Sequence, residues 1–169
     1  MSVALPVERV EELVAPYAGG VSVAAVNGPA AVVVAGEPGA LDEVLAVCER
    51  DGVRARRVNV DYASHTAQVE ALEAELLEVL APVAPRAGKV PVYSTAVGAF
   101  IDSATMDAGY WYRNLRGQVG FESAIRALVD NGTGCFLEMS PHPVLTMAVE
   151  ETVEAQDAVG RVAVVGSLR

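Results

Sequence analysis

The strongest constraint on the fold lies in the first sixty residues. There, strand-like apolar runs alternate with helical periodicity, and Gly, Pro or Asn punctuates the changes. Met1 to Leu5 is a short apolar strand. Pro6 suits a first helical position, and Val7, Val10, Val14 and Tyr17 follow at helical spacing as far as Gly19-Gly20. Val21 to Val26 reads as a second strand, Asn27-Gly28-Pro29 as a turn, and Ala31 to Ala35 as the returning strand. Pro38 opens another helix with Leu41, Val44, Leu45 and Cys48 on one face, ending at Asp51-Gly52, and Val53 to Val60 returns as a strand. The order β-α-β-β-α-β predicts a ferredoxin-like lobe over residues 1–60, with one face of an antiparallel sheet under two helices.

From residue 61 the texture changes. Ser64 to Leu80 reads as one long amphipathic helix, with Val69, Leu72, Leu76 and Leu80 on the inner face and Glu70, Glu73, Glu75 and Glu78 outside. Pro82 and Pro85 break it. Val90 to Thr95 is a strand that Val97 to Ile101 extends or pairs with. Helices follow around Asp107 to Leu115 and Phe121 to Asp130, then a strand from Cys135 to Met139. Pro143 opens a helix to about Ala155, and Val162 to Val165 is a last strand. Strands separated by helices predict a parallel sheet over residues 61–169. About three strands are few for such a sheet, which usually has ~5–6; its beginning is missing from the pattern.

Composition narrows the function. The chain has 169 residues, enough for one domain or two small lobes, and 52% of them are hydrophobic against 20% charged, which marks a folded protein. The net charge of -10, with Arg54, Arg56 and Arg57 as the basic cluster and Lys89 the sole lysine, weighs against nucleic-acid binding. Apolar runs fall short of the roughly 20 residues that span a bilayer, and the N-terminus lacks the pattern of a signal peptide. The reading is a cytoplasmic protein that binds neither nucleic acid nor membrane.

Cys48 and Cys135 lie far apart, in apolar surroundings that predict two buried small hydrophobes. The two histidines offer more. His65, in Asp61-Tyr62-Ala63-Ser64-His65, stands where a strand hands over to a helix, a place where α/β proteins put ligands. A general base and a solvated or capping histidine both fit that position. His142, between Pro141 and Pro143, reads as a turn or cap residue. No tight pair of ligands at metal spacing occurs, so no metal site is expected. Ser64 adjoins His65 in sequence, but a nucleophile and its base are recognised by facing side chains, and the chain contains no G-x-S-x-G elbow. Ser64 therefore reads as a pocket-lining or capping residue.

At these residues the sequence becomes familiar. Tyr62-Ala63-Ser64-His65 resembles the signature tetrapeptide of acyltransferase domains in modular type I polyketide synthases, members of the malonyl-CoA:acyl-carrier-protein transacylase superfamily. Val26-Asn27-Gly28-Pro29, the arginines before Val58-Asn59-Val60-Asp61, Pro91-Val92-Tyr93-Ser94-Thr95, Tyr110-Trp111-Tyr112-Arg113-Asn114-Leu115-Arg116 and Glu138-Met139-Ser140-Pro141-His142-Pro143-Val144-Leu145 resemble that family in its order, across the whole chain.

The resemblance implies an α/β fold: a ferredoxin-like βαββαβ lobe, residues 1–60, followed by the C-terminal part of an α/β-hydrolase-like lobe, residues 61–169. It implies ping-pong transfer of an acyl group from CoA through a serine to an acyl carrier protein's phosphopantetheine, with no cofactor bound by this chain itself. His65 would be the general base, and the backbone carbonyl of Asn114 would orient it. Tyr62, Ala63 and Ser64 would line the acyl site; a residue as small as Ser64 resembles the methylmalonyl-selecting version, against a phenylalanine in malonyl-selecting domains. The serine elbow, a glutamine-rich oxyanion segment and a carboxylate-gripping arginine precede the residue matching Met1 in that family. The chain alone is therefore expected to be inactive, with the preceding segment, the flanking synthase domains, acyl-CoA and a carrier protein as its partners. Gly117 and Gly120 stand where the family usually has bulkier or basic residues. A module that only binds a carrier protein or the preceding segment is the alternative, with Arg54, Arg56 and Arg57 as its contact patch.

Overall fold

The computed structural model describes residues 1–168. Its first sixty residues follow the expected order: β1 (Ser2–Val3), α1 (Val7–Val14), β2 (Val21–Gly28), β3 (Ala31–Gly36), α2 (Pro38–Arg50) and β4 (Ala55–Arg56). The strands lie β4-β1-β3-β2, antiparallel throughout. Valine alternation puts Val32 and Val34 on the face that α1 and α2 cover with Val10, Val14, Leu41, Val44 and Cys48. At Gly36 the backbone passes so close to Gly20 and Val21 that no side chain fits.

The strand expected over Val53 to Val60 shrinks to Ala55–Arg56. After Arg56 the chain leaves the sheet, and the Arg57 guanidinium ties it to Asp42 (2.6 Å) and the Pro38 carbonyl (2.8 Å) on α2. With no partner strand beside them, Val58, Val60 and Tyr62 are exposed.

Residues 61–168 add α3 (Glu73–Leu80), β5 (Val92–Ser94), β6 (Ala99–Ile101), α4 (Ala108–Arg116), β7 (Val119–Gly120), α5 (Phe121–Asp130), β8 (Cys135–Glu138), α6 (Thr146–Ala155) and β9 (Ala163–Gly166). No single parallel sheet collects these strands. β5 and β6 form an antiparallel hairpin, and β8 and β9 a parallel pair. β7 instead pairs in parallel with β2, so the first sheet crosses the expected boundary at residue 60. A second core of Ile125, Val149, Val153 and Ala158 joins α5 and α6 to β8 and β9. It abuts the first sheet where Ala148 of α6 meets Gly28; a Cβ there would sit 3.2 Å from the Ala148 Cβ.

The single helix expected from Ser64 to Leu80 does not form. Thr66 accepts a bond from the Gln68 N–H and starts a tight 3₁₀ segment, Ala67–Leu72, before α3 begins. Only Val69 of the expected stripe is buried, while Leu72 is exposed. α6 likewise starts at Thr146 rather than Pro143. The Glu138 carboxylate accepts the N–H groups of Val144, Leu145 and Thr146 at 2.8–3.0 Å and so marks the helix start itself. That bonding leaves His142 exposed in the bend before α6, a turn residue rather than a cap. Cys48 is buried, but Cys135, which alternates with the core-facing Phe136 on β8, is exposed. Among the described residues no helix is long and apolar enough to cross a membrane.

Candidate active site

His65 sits in a turn between the first sheet and the 3₁₀ segment, with a backbone φ of +61°. That left-handed conformation costs a non-glycine residue roughly 1–2 kcal/mol, so the surroundings must impose it. They do so from both sides. Thr66, 4% exposed, closes the turn by donating its hydroxyl to the Ala63 carbonyl at 2.7 Å. Across the gap, the end of α4 takes the rest: the His65 N–H donates to the Leu115 carbonyl at 2.8 Å, and ring Nδ1 lies 2.7 Å from the Gly117 carbonyl.

The last carbonyls of a helix have no partner within it. Here they become the acceptors that hold a histidine. A carbonyl oxygen accepts only, so Nδ1 carries the proton in this bond, and the neutral ring keeps its lone pair on Nε2. The carbonyl end of a helix also favours positive charge beside it.

The oxygen that meets the ring is that of Gly117, not that of Asn114. Asn114 lies inside the last turn of α4, where a carbonyl runs along the helix axis. Gly117 is the first residue beyond, extended at φ −78° and ψ 153°, and its carbonyl turns out of the helix towards His65. Its lack of a side chain matters: a Cβ would come within 2.9 Å of the Arg113 carbonyl that the Gly117 N–H already binds.

The remaining expected residues divide. Ala63 and Ser64 are half-buried in the turn that carries His65. Tyr62, 66% exposed, and Ala63 line a small cavity of about 180 Å³ walled by Gly36, Pro38, Leu41 and Val60. The Arg54 and Arg56 side chains line a different groove, over β1 and β3, and make no ion pair among the described residues; Arg57 is engaged by Asp42. Among the described residues no group of three His, Cys, Asp or Glu side chains could hold a metal ion.

Several contributors escaped the sequence reading: Leu115, Gly117, Thr66 and the pair Glu70–Arg116. The available signals were a glycine just past a predicted helix end and a threonine ahead of an acidic helical run. Arg116 donates to one Glu70 oxygen through Nε at 2.9 Å and Nη2 at 2.6 Å, joining α4 to the 3₁₀ segment. One helical turn earlier, partial burial raises the Tyr112 hydroxyl above its ordinary range, and the nearby Glu73 carboxylate adds to the effect.

The acyl transferase domain model matches residues 1–169 of this sequence. The chain belongs to the acyl transferase domain family. It is 52% identical over 168 residues to the polyketide synthase GfsE of Streptomyces halstedii, covering 99% of this chain and 4% of the relative. A crystal structure of the acyltransferase domain from module 8 of the salinomycin polyketide synthase superposes with a TM-score of 0.96. It is 52% identical, over 99% of this chain and 39% of that one. The fold also matches a malonyl-transacylase of a type II polyketide synthase solved in complex with its acyl-carrier protein. There the TM-score is 0.83 at 24% identity, over 98% of this chain and 52% of that one. The acyltransferase sequence type is thus that of modular polyketide synthases, and the chain spans well under half of the salinomycin domain and a small fraction of GfsE.

Proposed function

We propose that this chain carries the general base of an acyltransferase that moves an extender acyl group, methylmalonyl by preference, from CoA to an acyl carrier protein. The observation that carries the proposal is the imidazole of His65, fixed through Nδ1 to the Gly117 carbonyl with Nε2 left as the basic nitrogen. The strand order of residues 1–60 supports a ferredoxin-like lobe, and the remainder reads as the C-terminal part of an α/β-hydrolase-like lobe.

The chemistry follows from that nitrogen. The nucleophile is a serine hydroxyl outside these 169 residues. Nε2 takes its proton as the oxygen attacks the thioester carbonyl, and the imidazolium returns the proton to the departing CoA sulfur. The acyl-serine then meets the phosphopantetheine thiol of a carrier protein, and Nε2 repeats the exchange. The transacylase of the same fold in complex with its carrier protein supports this partner. Incubation of the 169-residue chain with labelled methylmalonyl-CoA should give no stable acyl-protein. A stable adduct on this chain alone would contradict the proposal.

A second reading, a module that only docks a carrier protein, rests on Arg54 and Arg56, exposed side by side above one groove. Reversing both charges (R54E/R56E) should abolish carrier binding under that reading. Unchanged binding would remove it.

A further inference from the structure

We infer that Glu70 and Arg116 form a positioning pair that sets the angle at which the His65 ring meets the Gly117 carbonyl. The inference rests on the reading of His65 as general base. Two bonds tie His65 to α4, from its own N–H to Leu115 and from Nδ1 to Gly117, and both act on one residue. Neither reaches the segment beyond it, which the Thr66 hydroxyl on the Ala63 carbonyl and the buried Val69 hold at its start. The left-handed φ of His65 makes that residue a pivot between the extended stretch behind it and the 3₁₀ segment ahead.

The ion pair ties the middle of that segment directly to the end of α4. Glu70 stands five residues beyond the pivot, on a segment whose first turn is capped by the buried Thr66, so it moves as part of a stiff element. Arg116 is the final residue of α4, directly before Gly117. A guanidinium that brings two nitrogens to one carboxylate oxygen defines a direction as well as a distance, which an ammonium cannot do. The last turn of α4 is therefore held to both ends of the His65 turn: at the pivot by two carbonyls and at its far side by the pair. α4 itself is anchored elsewhere, by the Asp107 cap on the Tyr110 N–H and by the buried contact between the Tyr110 and Ser94 hydroxyls at 2.9 Å. Movement falls on the His65 turn rather than on the helix. Because both partners are partly exposed, the pair contributes little to global stability, and its loss should act locally.

The chain has only two imidazoles, so nitrogen-15 NMR can follow each one. In the native chain, His65 should hold a single Nδ1–H tautomer with a slowly exchanging ring proton, whereas the exposed His142 should show mixed, rapidly exchanging forms. In R116M and E70Q, His65 should come to resemble His142, while far-UV circular dichroism and the His142 signal stay as they were. R116K should lie between, and the swapped pair E70R/R116E should recover the native spectrum. A native His65 spectrum in R116M would overturn the inference. In an acyltransferase domain containing these residues and a serine nucleophile, R116M should lower kcat about tenfold or more with little change in KM for acyl-CoA. A disordered ring with kcat unchanged would refute the general-base reading while leaving the contact itself intact.

Discussion

His65 combines two demands that pull against each other: a backbone shape its side chain disfavours and a ring orientation that has to be kept. The structure meets both with main-chain atoms at the end of α4 and with the Thr66 hydroxyl. The Tyr62-Ala63-Ser64-His65 motif singles out the histidine whose ring the structure holds. Its orienting oxygen was not legible, because which carbonyl escapes a helix depends on where the helix stops, and boundaries are the least readable feature of a sequence. Gly117 lies three positions after Asn114, almost one turn, which moves the carbonyl to a different part of the helix end. Ser64 carries the prediction at this scale. The family resemblance reads so small a residue there as methylmalonyl-selecting, against a phenylalanine in malonyl-selecting domains. In an acyltransferase domain that contains these residues and a serine nucleophile, S64F should lower the proposed preference for methylmalonyl-CoA over malonyl-CoA by about 10–100-fold, the worth of one methyl in a tight site. Competition between the two thioesters measures it, and an unchanged ratio would place the selectivity elsewhere.

Among the elements, the entry to α6 shows how a side chain sets a boundary that pattern reading misses. Pro143 suggested the helix start, yet the Glu138 carboxylate gathers the N–H groups of residues 144–146 and accepts the Ser140 hydroxyl as well. Those backbone bonds lower the Glu138 pKa despite the opposing cost of desolvation. The ionised form is thus the one the fold prefers. Its contribution is complete above the ordinary glutamate value of about 4.3 and is lost as pH falls through the lowered folded value. E138Q should therefore melt below the native chain at pH 7, and the difference should shrink as pH drops below about 4. A constant gap across that range would exclude the carboxylate charge as its source. The stretch Ser64 to Leu80 misled for a related reason. Its apolar spacing is helical, but Thr66 and the left-handed His65 break the helix at its start, and of the stripe Val69 is buried, Leu76 and Leu80 are half-buried and Leu72 lies open. Periodicity records which side chains could share a face, not whether anything covers that face.

For the molecule as a whole, the valine-rich β-α-β-β-α-β order of residues 1–60 specified its own sheet and core, because each strand and helix buries its apolar side against the others. Less was legible beyond residue 60. Short strands with few apolar neighbours in sequence take partners that no local pattern names: β7 adds to the first sheet, and β5 turns back on β6. This arrangement brings α4 to the His65 turn, with β7 starting two residues after Gly117 and pairing beside β2. His65 Nε2 is the proposed base, and the rate of acyl-enzyme formation tests that role most directly. Asparagine tolerates a left-handed backbone, so H65N should keep the fold. In an acyltransferase domain that contains these residues and a serine nucleophile, H65N should slow acylation by methylmalonyl-CoA about 10²–10⁴-fold at neutral pH while still binding the thioester. Acylation by H65N at the native rate would contradict it.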